Sequence, residues 1–340
     1  MTKTTTEFDA IRRYQTENNR IRRQLREIAD ARIGMEQFME GVEQAISKCA
    51  HIKFPKTTVA KRKKGTRCTA ELLFSDLQIG KLSGDFNSAT AKARVREYTR
   101  AAIGEISNKQ TAGHVVEHIV LALLGDIIES DKKHKNSARA TDTGTATQVS
   151  DAIELLYKEV ILPLSLLGIP MDVICVTGNH DHDDHGLVMF RPGKEQLSWP
   201  LYQSLRMLGE ASGMGHVKFH IPEGSFAVIS IYDQLCLYEH GVGIGVSETA
   251  MRGHKARRSE QLNQPITYFR MGDKHTVSTF NSNQYVVNGA FFGASSKGID
   301  YSEIAGFSSI PAQWMGWHCP RNDKRFTIWD SFVIQLGHIK

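Results

Sequence analysis

The chain has 340 residues, 41% hydrophobic and 23% charged, with 42 Lys and Arg against 37 Asp and Glu. This is a globular composition with room for one large or two ordinary domains, and it excludes the disordered and fibrous classes. No apolar run approaches the ~20 residues a membrane helix needs, and MTKTTTEFDA at the start carries no apolar signal core, so a cytoplasmic protein without membrane contact is expected.

The first element in chain order is a helix over 6–48, a stretch without proline. Its heptad places Ile11, Tyr14, Asn18, Ile21, Leu25, Ile28, Arg32, Met35, Met39, Val42 and Ile46 at a and d. Two readings stay open: a coiled coil that pairs the chain with a second copy, or one amphipathic helix packed on the body. Gly34 and Gly41 weaken helix by roughly 1 kcal/mol each and predict a bend or break. Residues 1–70 hold 16 Lys and Arg against 8 Asp and Glu, so the positive excess sits here and the rest is slightly acidic. Such asymmetry points to an anionic partner. The division expected is a helical arm over 1–50, a basic linker over 51–68 with KRKK at 61–64, and a catalytic domain over 69–340.

From Thr69 strands alternate with helices: strands over 70–76, 116–125 and 171–177, helices near 90–108, 148–167 and 196–210. Beyond 215 strands dominate, over 217–221, 225–231, 234–239, 266–272, 284–288 and 326–335. The alternation predicts an α/β sheet with layered helices. The five cysteines, Cys49, Cys68, Cys175, Cys236 and Cys319, form no CxxC pair and read as free thiols in a reducing compartment.

Four predicted strands end in polar residues that a core would not choose. They are Phe74-Ser75-Asp76-Leu77-Gln78, Leu124-Gly125-Asp126, Val176-Thr177-Gly178-Asn179-His180-Asp181 and Tyr238-Glu239-His240-Gly241. Open α/β sheets place ligands outside the carboxyl ends of their strands. Carboxylates, an amide and imidazoles converging there would repel without a cation between them. Mixed oxygen and imidazole donors suit Mn²⁺, Fe or Zn²⁺ better than copper.

In these motifs and their order, residues 70 to about 295 resemble the calcineurin-like metallophosphoesterase superfamily, loosely nearest its DNA-repair-exonuclease branch. The resemblance implies a four-layer αββα sandwich with two divalent cations. It assigns Asp76, Gln78, Asp126 and His275 to one, and Asp126, Asn179, His240 and Asp273 to the other. His180 would protonate the leaving oxygen, with Asp181 orienting it. Gln78 and Asp273 stand where that family usually has histidines, which shifts preference toward Mn²⁺ or Mg²⁺, with Fe, Zn²⁺ and Ni²⁺ still open.

The implied reaction is hydrolysis of a phosphodiester by metal-bound hydroxide. The basic arm favours DNA as substrate and nucleic acid as partner. A phosphomonoesterase and a nucleic-acid-binding protein without catalysis are the alternatives. Lys132, Lys133 and His134, following the second motif, are placed to meet substrate, as are Arg257 and Arg258 in a basic stretch with His254 and Lys255. His182-Asp183-Asp184-His185 reads as a solvated loop without a ligand role.

Overall fold

The computed structural model describes residues 3–51, 64–133, 139–182, 193–293, 309–320 and 326–337, the side chains at 3–14 and 25–35 excepted. Strand β1 (Thr66–Phe74) is buried from Cys68 onward, as a parallel strand covered on both faces must be. Beside it run β2 (His114–Leu123), β3 (Met171–Cys175) and β4 (Val217–His220), all parallel. Two antiparallel strands, β10 (Ala312–His318) and β11 (Ile328–Gln335), complete a six-stranded sheet in the order β11-β10-β1-β2-β3-β4.

The second sheet holds β5 (Phe226–Ile231), β6 (Gln234–Glu239), β7 (Ile266–Met271), β8 (Ser278–Phe280) and β9 (Tyr285–Val287), in the order β5-β6-β7-β9-β8. Leu73, Val120, Ala122, Ile174 and Val176 of the first sheet pack against Ile229, Cys236, Tyr238, Tyr268 and Val286 of the second. The first sheet's other face is covered by α2 (Ser88–Thr111), α3 (Thr145–Leu156), α4 (Leu162–Ser165) and α5 (Ser198–Ala211). A π turn over Tyr157–Ile161 joins α3 to α4. Helix α6 (Glu248–Leu262) covers the second sheet through Met251. The order is helices, sheet, sheet, helix, the four-layer α/β sandwich expected.

The sheets are also tied by charge. Glu71 on β1 receives the Arg270 guanidinium of β7 at 2.9 Å and lies 2.9 Å from His318 Nε2 of β10, all three fully buried. The Tyr238 hydroxyl donates to the same carboxylate at 2.7 Å. Burial alone would raise the Glu71 pKa, but Arg270 and then His318 hold it well below the usual carboxylate range.

The N-terminal helix α1 (Lys3–Cys49) is unbroken. Gly34 and Gly41 therefore do not end or break it. Gly41 is instead where α1 meets the body: a Cβ there would lie 2.7 Å from the Ala146 carbonyl oxygen of α3. Phe38, Ala45 and Cys49 are buried around that contact, with Val42 and Ile46 partly covered. The last turns of α1 thus follow the packed-helix reading. Residues 15–24 are exposed, and residues 61–63 of the KRKK run lie outside the described segments. All five cysteines are free, and among the described residues no helix is long and apolar enough to cross a membrane.

Candidate metal centre

The residues singled out by their strand ends converge at one edge of the sandwich. Asp76 and Gln78 follow β1, Asp126 follows β2, and Asn179 and His180 follow β3, all from the first sheet. The second sheet supplies His240 after β6 and Asp273 and His275 after β7. Tight turns carry them, with Asp76 (φ 53°), Gln78 (45°), Asp126 (51°), Asp273 (66°) and His275 (59°) all in the left-handed region. Such backbone costs on the order of 1 kcal/mol per residue and collects at functional sites. The loops also interlock. At Gly178 a Cβ would lie 2.1 Å from Asp126 Oδ1, so only glycine lets the third loop reach the second.

Ligand-type atoms of Asp76, Asp126 and His240 lie within 4.8 Å of one another, all buried. Around this trio, His275 Nε2 is 3.5 Å from Asp76 Oδ1, and His240 Nε2 is 3.3 Å from Asp126 Oδ1 and 3.6 Å from Asp273 Oδ1. Gln78 Nε2 donates to Asp126 Oδ2 at 3.4 Å. His240 Nδ1 donates to the Leu124 carbonyl at 2.7 Å, which turns Nε2 inward. Metal-binding histidines are commonly held in this way.

Asp76 Oδ1 and Gln78 Oε1 are buried without a hydrogen-bond partner. Burial, then the charges of Asp126 and Asp273, push the Asp76 pKa up to about 7 against the opposing pull of His240. Orphaned oxygens and crowded carboxylates are what a cation would relieve, so the donor set fits divalent metal. The set is oxygen-rich, with two imidazoles, His240 within the trio and His275 beside it, and suits harder ions than a cluster of imidazoles and thiolates would.

Asp181 is not where the sequence placed it. Its carboxylate accepts from the backbone N–H groups of Asp126, Ile127, Ile128 and Gly178 at 2.7–3.3 Å, clamping two loops together. The carboxylate that faces His180 is Glu129, 3.2 Å from Nδ1. Burial would lower the His180 pKa, but Glu129 and then Asp126 raise it. His180 Nε2 lies 3.9 Å from Asp126 Oδ2. The sequence signal for Glu129 was its place three residues after Asp126.

The lysines divide. Lys133 is buried and its ammonium meets the side-chain amide of Asn179. An ammonium can only donate, so that amide atom is the oxygen, and the nitrogen faces His240 Nε2 at 2.9 Å and Asp273 Oδ1 at 3.0 Å. Burial lowers the Lys133 pKa against the pull of Asp126 and Glu129. Lys274, which the sequence reading left out, donates to Asp273 Oδ2 at 2.6 Å. Lys132 lines a groove of about 460 Å³ between α1 and α3 rather than the centre. His134, Asp183, Asp184 and His185 lie outside the described residues.

The basic stretch on α6 is mostly structural. Arg258 Nε donates to Glu239 Oε1 at 2.7 Å, His254 meets the same carboxylate, and Lys255 donates to the Thr267 carbonyl at 3.0 Å. These contacts pin α6 beside the strand end that carries His240, which removes Arg258 from the expected substrate contacts. Arg257 is exposed on the same helix.

No protein-family model matches the chain, and no curated protein is significantly similar to it. Among solved structures it is similar to an archaeal phosphodiesterase, at 11% identity and TM-score 0.34 over 78% of this chain and 99% of that one. It is similar to zinc-complexed Vps29 from Entamoeba histolytica, at 11% and 0.31 over 78% and 98%. A predicted phosphoesterase from Streptococcus pneumoniae matches at 10% and 0.31 over 79% and 98%. The functional reading rests instead on the side chains described above.

Proposed function

We propose that the chain is a calcineurin-like metallophosphoesterase that hydrolyses phosphodiester bonds, with DNA as its substrate class. The carrying observation is the convergence of Asp76, Asp126 and His240 from three strand ends within 4.8 Å, beside buried oxygens without partners. Asp76, Gln78, Asp126 and His275 would hold one divalent cation, and Asp126, His240 and Asp273 a second, which Asn179 would join once its amide oxygen turns from Lys133 toward the cation, with Mn²⁺ favoured. When bound, such cations neutralise phosphate charge and lower the pKa of a coordinated water.

The protein's own groups do the rest. Asp126 presents two carboxylate oxygens to the middle of the cluster. His180, its pKa raised by Glu129, carries a proton to the leaving oxygen. Lys133, whose ammonium meets Asn179 beside the cluster, holds a phosphoryl oxygen. The DNA assignment draws on the basic segment over 1–70, in which Arg20, Arg22 and Arg23 are exposed. A second reading, nucleic-acid binding without catalysis, is favoured by the Lys274 ammonium on Asp273 and by Gln78 in place of a histidine.

One assay separates the two. With Mn²⁺ the purified protein is expected to hydrolyse a model phosphodiester, and Asp126→Asn or His180→Ala to cut kcat/KM by about 10²-fold or more. No metal-dependent turnover on any phosphate ester, with DNA binding retained, would leave the binding reading standing. For the substrate class, deleting residues 1–66 is expected to weaken DNA binding and flatten its salt dependence while model-substrate hydrolysis persists.

A further inference from the structure

Helix α1 carries two apolar stripes that point in different directions. One, made of Phe38, Gly41, Ala45 and Cys49, is consumed by the body. The other is the heptad seam, and its described positions ahead of Val42 are open: Ile21 is 43% exposed and Met39 is 50% exposed. Met39 adjoins the buried Phe38 yet faces away from the body, so docking on α3 does not satisfy the seam. Residue 24 lies roughly 20 Å of helix beyond Phe38, at ~1.5 Å per residue, and residues 15–24 are all exposed. A solvated helix of this kind is marginal alone and gains its stability by burying an apolar stripe.

We propose that the occupant of this seam is a second copy of the chain, in a parallel, in-register, two-stranded coiled coil. Asn18 falls at an a position, where a facing Asn pair fixes register and a two-stranded state at some cost in stability. The flanking charges agree with that register: Glu17 at g would face Arg22 at e of the second copy. Ile21, and by sequence Leu25 and Ile28, would supply the apolar layers next to Asn18. The proposal is independent of the phosphoesterase reading.

Light scattering on the full chain, without nucleic acid, is expected to give twice the 38.0 kDa chain mass at micromolar concentration. Ile21→Glu puts a charge in the seam and touches nothing in the body, so it is expected to raise the dissociation constant at least about tenfold while leaving the melting temperature of the sheets unchanged. Asn18→Ile is expected to tighten pairing and admit larger assemblies. Asn18→Cys is expected to form an intermolecular disulfide on mild oxidation, which an antiparallel pair would not bring together. The proposal is overturned by a monomeric full chain, by an Ile21→Glu variant that still pairs with parental affinity, by Asn18→Ile leaving assembly unchanged, or by Asn18→Cys dimers that do not cross-link. Pairing that occurs only on added duplex DNA also overturns it, because an apolar seam needs no polyanion.

Discussion

At the residue scale, the centre is built from a few side chains whose neighbours set their charge. Glu129 sits 3.2 Å from His180 Nδ1 and is a leading cause of its raised pKa. A histidine that donates a proton works in its charged form, so activity falls on the alkaline side as that proton is lost. Glu129→Gln removes the raising charge, and the alkaline limb of kcat/KM is expected to move to lower pH. A pH–rate profile with an unmoved limb would show that Glu129 does not tune His180. Most of the centre was legible in the sequence, because an apolar strand ending in Asp, Asn or His is a local pattern. The true partner of His180 was not, since Asp181 is adjacent in sequence while its carboxylate turns back to four backbone amides. Choosing between neighbouring carboxylates needs the loop's path, which residue types do not encode.

At the element scale, the strands carrying the site were close to their expected bounds, whereas β8, β10 and α6 went unread. Strand β10 is buried throughout, with Trp314 toward the second sheet and Met315 and Trp317 toward the helices, so it shows no alternation of apolar and polar residues. Helix α6 has only Met251 buried and reads as a charge run until its ion pairs are seen. In α1, Gly41 gives close approach rather than a break, which predicts that Gly41→Leu will drive the helix off α3. Its Cβ would meet backbone 2.7 Å away, which cannot yield as a flexible side chain does. The expected result is faster proteolytic release of residues 1–49, with hydrolysis of a model substrate retained within about twofold. Unchanged protection would show that the contact relaxes without cost.

At the scale of the whole molecule, the two sheets are joined by an apolar core, the Glu71–Arg270–His318 group, and the candidate centre itself. Removing one partner of a fully buried ion pair strands the other, so Glu71→Gln is expected to cost about 3–5 kcal/mol in urea denaturation. The Glu71 pKa is depressed in the fold, so its contribution is complete above the unfolded value of about 4.3 and is lost as pH falls through the lower folded value. Parent and variant stabilities should therefore converge in acid, and a gap that persists there would assign the loss to packing. The position of the centre has a thermodynamic corollary. Asp76, Asp126 and Asn179 belong to one sheet and His240, Asp273 and His275 to the other, so a cation gripped by both sets binds only while the sheets are docked. Metal loading would then act as a rivet through the sandwich, and the melting curve would become a binding assay that needs no substrate. At a hundredfold excess over its dissociation constant, Mn²⁺ should add about 2.7 kcal/mol to global unfolding, and Asp126→Asn should abolish the shift.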